Sequence, residues 1–206
     1  MLLTKPALAC FVVLLAPVGR TEVLRQLDFE VLLDSRPVGT HRFIIREQPG
    51  GLRTVESQAS FDVRWLGLTA LRYRHEELER WQAGCLESIE ATTRENGRLT
   101  LVSGSQQGEA FLLRSPRKLE EPGSCVSSYA YWDGARLLTQ RVLLNPQTGE
   151  LDAVRFEALG LSQGAQRYRL HSAQLQIDLW YSAKGDWQAL ESQVAGGRTL
   201  RYRLRD

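Results

Sequence analysis

The last forty residues constrain the fold of this chain most. From Arg167 to Arg205, apolar and polar side chains alternate with period two. Leu175, Ile177, Leu179 and Tyr181 form one run, Trp187 and Ala189 a second, and Leu200, Tyr202 and Leu204 a third. Turn residues, Ala183-Lys184-Gly185-Asp186 and Gly196-Gly197, separate the runs. A strand puts every second residue on one face, whereas a helix would scatter these positions around its axis. Only an antiparallel meander places them coherently.

The same signature recurs upstream. Leu27–Leu33 reads as a strand, Asp34–Gly39 as a turn, and His41–Arg46 as the returning strand. Val55, Ser57, Ala59, Phe61, Val63 and Trp65 alternate with Glu56, Gln58, Ser60, Asp62 and Arg64, predicting a core face and a solvent face. Leu71–Trp81 and Leu86–Thr93 read as strands, and Glu95-Asn96-Gly97 as the hairpin turn into Leu99–Val102. Ser103–Ser124 is polar and rich in Gly, Ser and Pro, so it reads as a long connection with one short element at Phe111–Leu113. Val126–Trp132 and Val154–Leu159 read as strands. Ala135–Leu144 fits either a helical turn or an extended run. No stretch sustains helical periodicity. The expected fold is all-β with little helix: a strongly curved antiparallel sheet forming a β roll or unclosed barrel, with a concave interior.

The N-terminus bounds the domain. Lys5 precedes a short apolar run, Ala7 to Val18, which fits an export signal over residues 1–20 and is short for a membrane span. A single domain over residues 21–206 follows, with a periplasmic or secreted location. The formal charge of +2 disappears once Lys5 and Arg20 are set aside, leaving 24 basic against 24 acidic residues. Neutrality excludes nucleic acid as a partner. Beyond Cys10, two cysteines remain, Cys85 and Cys125. An even pair in an exported chain predicts one disulfide. No histidine or further cysteine stands at ligand spacing from either, so neither a metal nor another cofactor is expected.

The strand with chemistry on it is Leu71–Trp81. Tyr73, His75, Glu77, Glu79 and Trp81 share a face that is neither a clean core nor an ordinary surface. One reading is a solvated face with ion pairs to arginines. The other is a ligand site bordered by Tyr73, His75, Glu79 and Trp81. Gly160-Leu161-Ser162-Gln163-Gly164 matches a hydrolase nucleophile pattern, but no helix follows it, and a hairpin loop explains it.

Several segments carry a family resemblance: FEVLLDSRPVGTHRF, YRHEELERWQAGCLESI, CVSSYAYWD, LLNPQTGELDAVRFEALG and DLWYSAKGDWQALESQVAGGRTLRYRL. Together they resemble a family of exported Gram-negative bacterial β-roll proteins catalogued only as a domain of unknown function. The resemblance implies a curved sheet and an envelope location, and brings no catalytic residue. The expected function is non-enzymatic binding of a lipid or other amphipathic molecule in the concavity. The alternative is an envelope protein-interaction module that uses an exposed sheet edge to bind a protein partner. A third reading is a small-molecule enzyme using His75 and Glu79.

Overall fold

The computed structural model describes residues 22–65, 68–116 and 119–205, without the side chains at positions 64, 65, 68, 69 and 195. The leader expected over residues 1–20 and the Trp65 side chain expected on a core face lie outside that description.

The chain runs through β1 (Glu22–Leu33), β2 (Arg36–Glu47), β3 (Arg53–Trp65), β4 (Leu68–Gln82), β5 (Cys85–Glu95), β6 (Arg98–Gln107), β7 (Ala110–Arg114) and β8 (Leu119–Glu120). A covering segment follows, holding helix α1 (Gly134–Leu137), β9 (Val142–Leu144) and β10 (Leu151–Ala153). The last strands are β11 (Arg155–Ser162), β12 (Ala165–His171), β13 (Gln176–Tyr181), β14 (Trp187–Val194) and β15 (Arg198–Leu204).

Thirteen strands form one antiparallel sheet in the order β11-β12-β13-β14-β15-β1-β2-β3-β4-β5-β6-β7-β8, and β9 and β10 pair separately. Almost every pairing is a local hairpin. The exception joins the two ends of the domain: β1 pairs with β15, from Phe29 opposite Leu204 to Leu33 opposite Leu200.

The order ends at β11 on one side and β8 on the other, and no pairing joins these strands. The expectation of a β roll or unclosed barrel is therefore corrected: the sheet is open. The segment between β8 and β11 supplies the reason. Its Val126, Ala130, Trp132, Leu137, Leu143, Leu144 and Val154 are buried in one cluster with Phe29, Trp81 and Trp187 of the sheet. A sheet whose apolar face is covered by its own connecting segment buries that face without rolling onto itself. The cover lies across the face on which an acyl chain was expected and leaves a cavity of about 310 Å³ beneath it.

Two local physical reasons shape the hairpins. Asp34 and Ser35 both have positive φ, at 53° and 86°, and form a two-residue turn, so the strand resumes at Arg36 and not after Gly39. Pro37 is accommodated inside β2 beside a register shift between Val31 and Leu32. Ser103–Gln107, expected as connection, is the second half of β6. Gly104 is required there: a Cβ would come within 2.5 Å of the Phe111 ring, which lies fully buried over it.

The cover departs from expectation as well. Val126–Trp132 makes no strand; Ser128 forms one isolated bridge to Leu144. Its polar backbone is satisfied piecewise, by Leu86 N–H donating to Val126 O and Leu144 N–H donating to Ser127 O. The Cys85–Cys125 disulfide, with Cα atoms 4.9 Å apart, ties the start of this segment to β5.

The two faces of β3 separate as the alternation predicts. Val55, Ser57, Ala59, Phe61 and Val63 are buried, whereas Gln58 and Asp62 are exposed. The outer face of the sheet is laced with ion pairs, among them Arg42–Asp28, Arg46–Glu56, Arg74–Asp62 and Arg201–Glu191.

Candidate functional site

The site is built from cross-strand rows on the covered face. In one row His41 on β2 stands opposite Ala59 on β3, which stands opposite His75 on β4, followed by Thr93 on β5. In the next, Phe43, Ser57, Glu77 and Ala91 are aligned, and in the third Ile45, Val55, Glu79 and Ile89. Small residues at 57, 59 and 91 leave room for two imidazoles and a carboxyl between them.

The geometry is close. His75 Nδ1 lies 2.9 Å from Thr93 Oγ1, and its Nε2 lies 3.4 Å from Glu77 Oε2. His41 Nε2 is 2.8 Å from Ser57 Oγ, and its Nδ1 is 3.2 Å from the Tyr202 hydroxyl. Trp81 Nε1–H donates to Glu79 Oε2 at 2.9 Å. The Glu77 and Glu79 carboxyls are hydrogen-bonded to each other, which requires a proton on one of them, and Glu79 also bonds to Ser128. Two carboxyls buried side by side are costly, and functional sites are where such costs concentrate.

Burial sets the charge state. It pushes Glu77 up to about 7 and Glu79 well above the ordinary carboxyl value, where the neighbouring Glu77 adds to the effect. Burial also pulls His75 down to about 4, against the attraction of Glu79 and Glu76, and His41 down to about 3. The imidazoles are thus neutral at pH 7.

The four residues expected to border a site do share a face, but the structure divides them. His75 lines a cavity of about 310 Å³ under the cover. Glu79 and Trp81 lie deeper: both are 3% exposed, and Trp81 packs edge-on against Trp132. Tyr73 stacks on Phe61 at 5.1 Å. The cavity is completed by residues the expected site did not include: Glu77 from the same strand face, and His41, Ser57 and Tyr202 from neighbouring strands. His41 carried a readable signal, because it falls in phase with Phe43 and Ile45 on β2. Tyr202 carried none, since its contact depends on β15 pairing with β1. Among the described residues, no group of three His, Cys, Asp or Glu side chains is placed to hold a metal. The Gly160–Gly164 pattern is the β11–β12 hairpin, with Gln163 and Gly164 at positive φ, and it builds no nucleophile elbow.

A pH dependence of stability follows. Glu77 and Glu79 are raised above the ordinary 4.5, so their contribution to folding is complete below that pH and is lost as pH rises, for Glu77 by about 7. His41 and His75 are held below the ordinary 6.5, so theirs is complete above that pH and is lost as pH falls toward about 3 and about 4. The two pairs oppose each other between these limits. Urea midpoints should therefore change little from pH 4.5 to 6.5 and fall above it. Glu77→Gln should gain about 3 kcal/mol relative to the parent between pH 5 and pH 8, at about 1.4 kcal/mol per pH unit. An equal difference at both pH values would refute the burial of an ionisable Glu77.

Fold and site together define the class: an open antiparallel sheet domain with one short helix, carrying a buried carboxyl and imidazole array on its covered face. The chain belongs to the family described as domain of unknown function DUF6134, which matches residues 29–205. That description names neither an export signal nor a roll, so the exported β-roll family expected from the motifs is corrected to this one. No curated protein matches the chain. Among solved structures, it is similar to a Brucella abortus protein described as a beta-barrel-like protein of domain of unknown function DUF1849. The TM-score is 0.61 at 8% identity, covering 88% of this chain and 95% of that one. At that identity the likeness shows the fold alone. The barrel-like description belongs to the other protein; in this chain the strand order has two unjoined ends.

Proposed function

We propose that this domain is a protein-interaction module that receives an extended segment of a partner along the free edge of β11. The reading replaces the expected lipid carrier, whose binding face the cover lies across. The observation that carries it is the open strand order. β8, at one end, is two residues long and offers almost no template. β11, at the other, is eight residues long and pairs only with β12. Among the described residues, no backbone group from elsewhere bonds to its outer side. An edge of this kind presents a row of unpaired N–H and C=O groups to which a strand can add. Leu161, 80% exposed at the end of β11, offers an apolar contact beside that row. The register shift between Ala158 and Gly160 confines the regular template to Arg155–Ala158. The Cys85–Cys125 disulfide supports a setting in which such bonds persist.

Proline tests the proposal cleanly. Successive residues of an edge strand direct their N–H groups to opposite sides, so one of Glu157→Pro and Ala158→Pro removes only an outward donor. Decapeptides selected from a random display library should bind the parent and lose binding to that variant, while its thermal midpoint stays close to the parent's. Peptides that bind both variants as they bind the parent would contradict the edge as the docking site.

A further inference from the structure

The cavity under the cover has a composition that the edge does not explain. Of its described lining residues, one is an acid, Glu77, and none is a lysine or arginine. The Glu77 side chain is 9% exposed, with Oε2 3.4 Å from His75 Nε2 and its carboxyl hydrogen-bonded to that of Glu79. The only other titratable lining groups are His41 and His75 and the phenols of Tyr129, Tyr131 and Tyr202. The imidazoles are tied to Ser57, Tyr202, Thr93 and Glu77. The lining also includes the apolar side chains of Leu175, Ile177, Leu190 and Leu200. The rings of Tyr131 and Tyr202 line the cavity too, with centroids 5.2 and 6.4 Å from that of Trp187.

We propose that this cavity is a binding site for a small organic cation with an apolar body, its ammonium or amidinium group held by Glu77. A cation with an apolar body matches this lining: a single carboxyl, no lysine or arginine to compete for it, and aromatic faces that attract positive charge. The apolar wall accommodates the remainder of the molecule. An anion meets no positive partner there. A metal ion is not favoured, because among the described residues no three His, Cys, Asp or Glu side chains are grouped to hold one. The site is separate from the β11 edge, and neither depends on the other.

Binding and ionisation of Glu77 are linked. Its titratable and polar neighbours are Tyr73, His75 and Glu79 on its own strand and Ser57 opposite it on β3, and the cavity it lines also holds His41, Tyr129, Tyr131 and Tyr202. With Glu77 pushed up to about 7 by burial, the cation should bind more tightly as pH rises from 6 to 8, because the carboxylate becomes its partner.

The probes are 2-phenylethylamine, 2-phenylethanol of the same shape without charge, and 3-phenylpropionate, each titrated into the labelled protein and followed by amide chemical shifts. The amine should saturate, shifting residues around His75 and Tyr202, and bind at least about tenfold more tightly than the alcohol. The carboxylate should be the weakest. Glu77→Gln should bring the amine down to the alcohol. Leu175→Phe, which fills the apolar end and leaves the acid untouched, should weaken both. Equal binding of amine and alcohol to the parent would overturn the proposal. So would no saturable shift with the amine at millimolar concentration in folded protein, or amine binding unchanged by both variants.

Discussion

Replacing Trp187 with alanine should cost about 3–5 kcal/mol, the range for removing a fully buried large aromatic. Trp187 is 0% exposed and stands where the halves of the domain meet. Its ring lies 4.3 Å from Phe29 on β1, 5.4 Å from Phe43 on β2 and 5.2 Å from Tyr131 on the cover. One side chain thus joins β14, the N-terminal hairpin and the covering segment, and no single neighbour can move to fill the space it leaves. The thermal midpoint should drop by about 10 °C for a domain of this size. Gln188→Ala, one residue on and exposed, should stay within about 0.5 kcal/mol of the parent. Similar midpoints for the two variants would show that the aromatic cluster does not anchor the sheet to its cover.

The second large effect concerns the disulfide. Cys85 and Cys125 are separated by 40 positions, for which chain-entropy arithmetic gives about 4 kcal/mol. The Cys85→Ala/Cys125→Ala double variant removes the bond without leaving a free thiol. Its loss should fall first on the cover, because beyond the bond this part of the segment is held by scattered hydrogen bonds and by packing such as Trp132 on Trp81. Near-ultraviolet circular dichroism of the tryptophans should therefore weaken before the far-ultraviolet sheet signal during thermal unfolding. Coincident transitions with an unchanged midpoint would contradict the role given to the bond.

The parts of the fold that could be read from residues alone were those set by local chemistry. Asn96-Gly97 takes the two positive φ values that a tight hairpin demands, at 48° and 85°. Along Val55 to Val63 the alternation buries every residue of the expected core face, while Gln58 and Asp62 are exposed and Glu56 and Ser60 half-buried, because the strand there has one covered face and one facing outward. Where the two faces differ less, periodicity failed. Ser103–Gln107 is polar on both faces yet pairs fully with β7, because Gly104 makes room for Phe111, a contact visible only in three dimensions. In Val126–Trp132 the apolar residues are buried as a cover, although their spacing imitated a strand. The roll was expected because a large antiparallel sheet of consecutive hairpins twists and curls, and nothing in the cover's sequence announced that it would lie over the apolar face.

The site followed the same division. Period-two spacing placed Tyr73, His75, Glu77, Glu79 and Trp81 on one face. It could not say which of them a cavity would reach. That depends on small residues at 57, 59 and 91 on neighbouring strands and on the closure of β15 against β1. Glu77, flanked by Ser57 and Ala91, opens to the cavity, whereas Glu79, between Val55 and Ile89, is sealed by Trp81.

The open edge of β11 is the claim on which the functional reading stands, and amide hydrogen exchange tests it directly. In the free protein, residues from Arg155 to Ala158 should alternate: fast exchange where the N–H points away from β12, and slow exchange where it bonds to that strand. Uniform protection of all four amides would mean that the outer side of β11 is already paired, and would contradict an edge free to receive a partner.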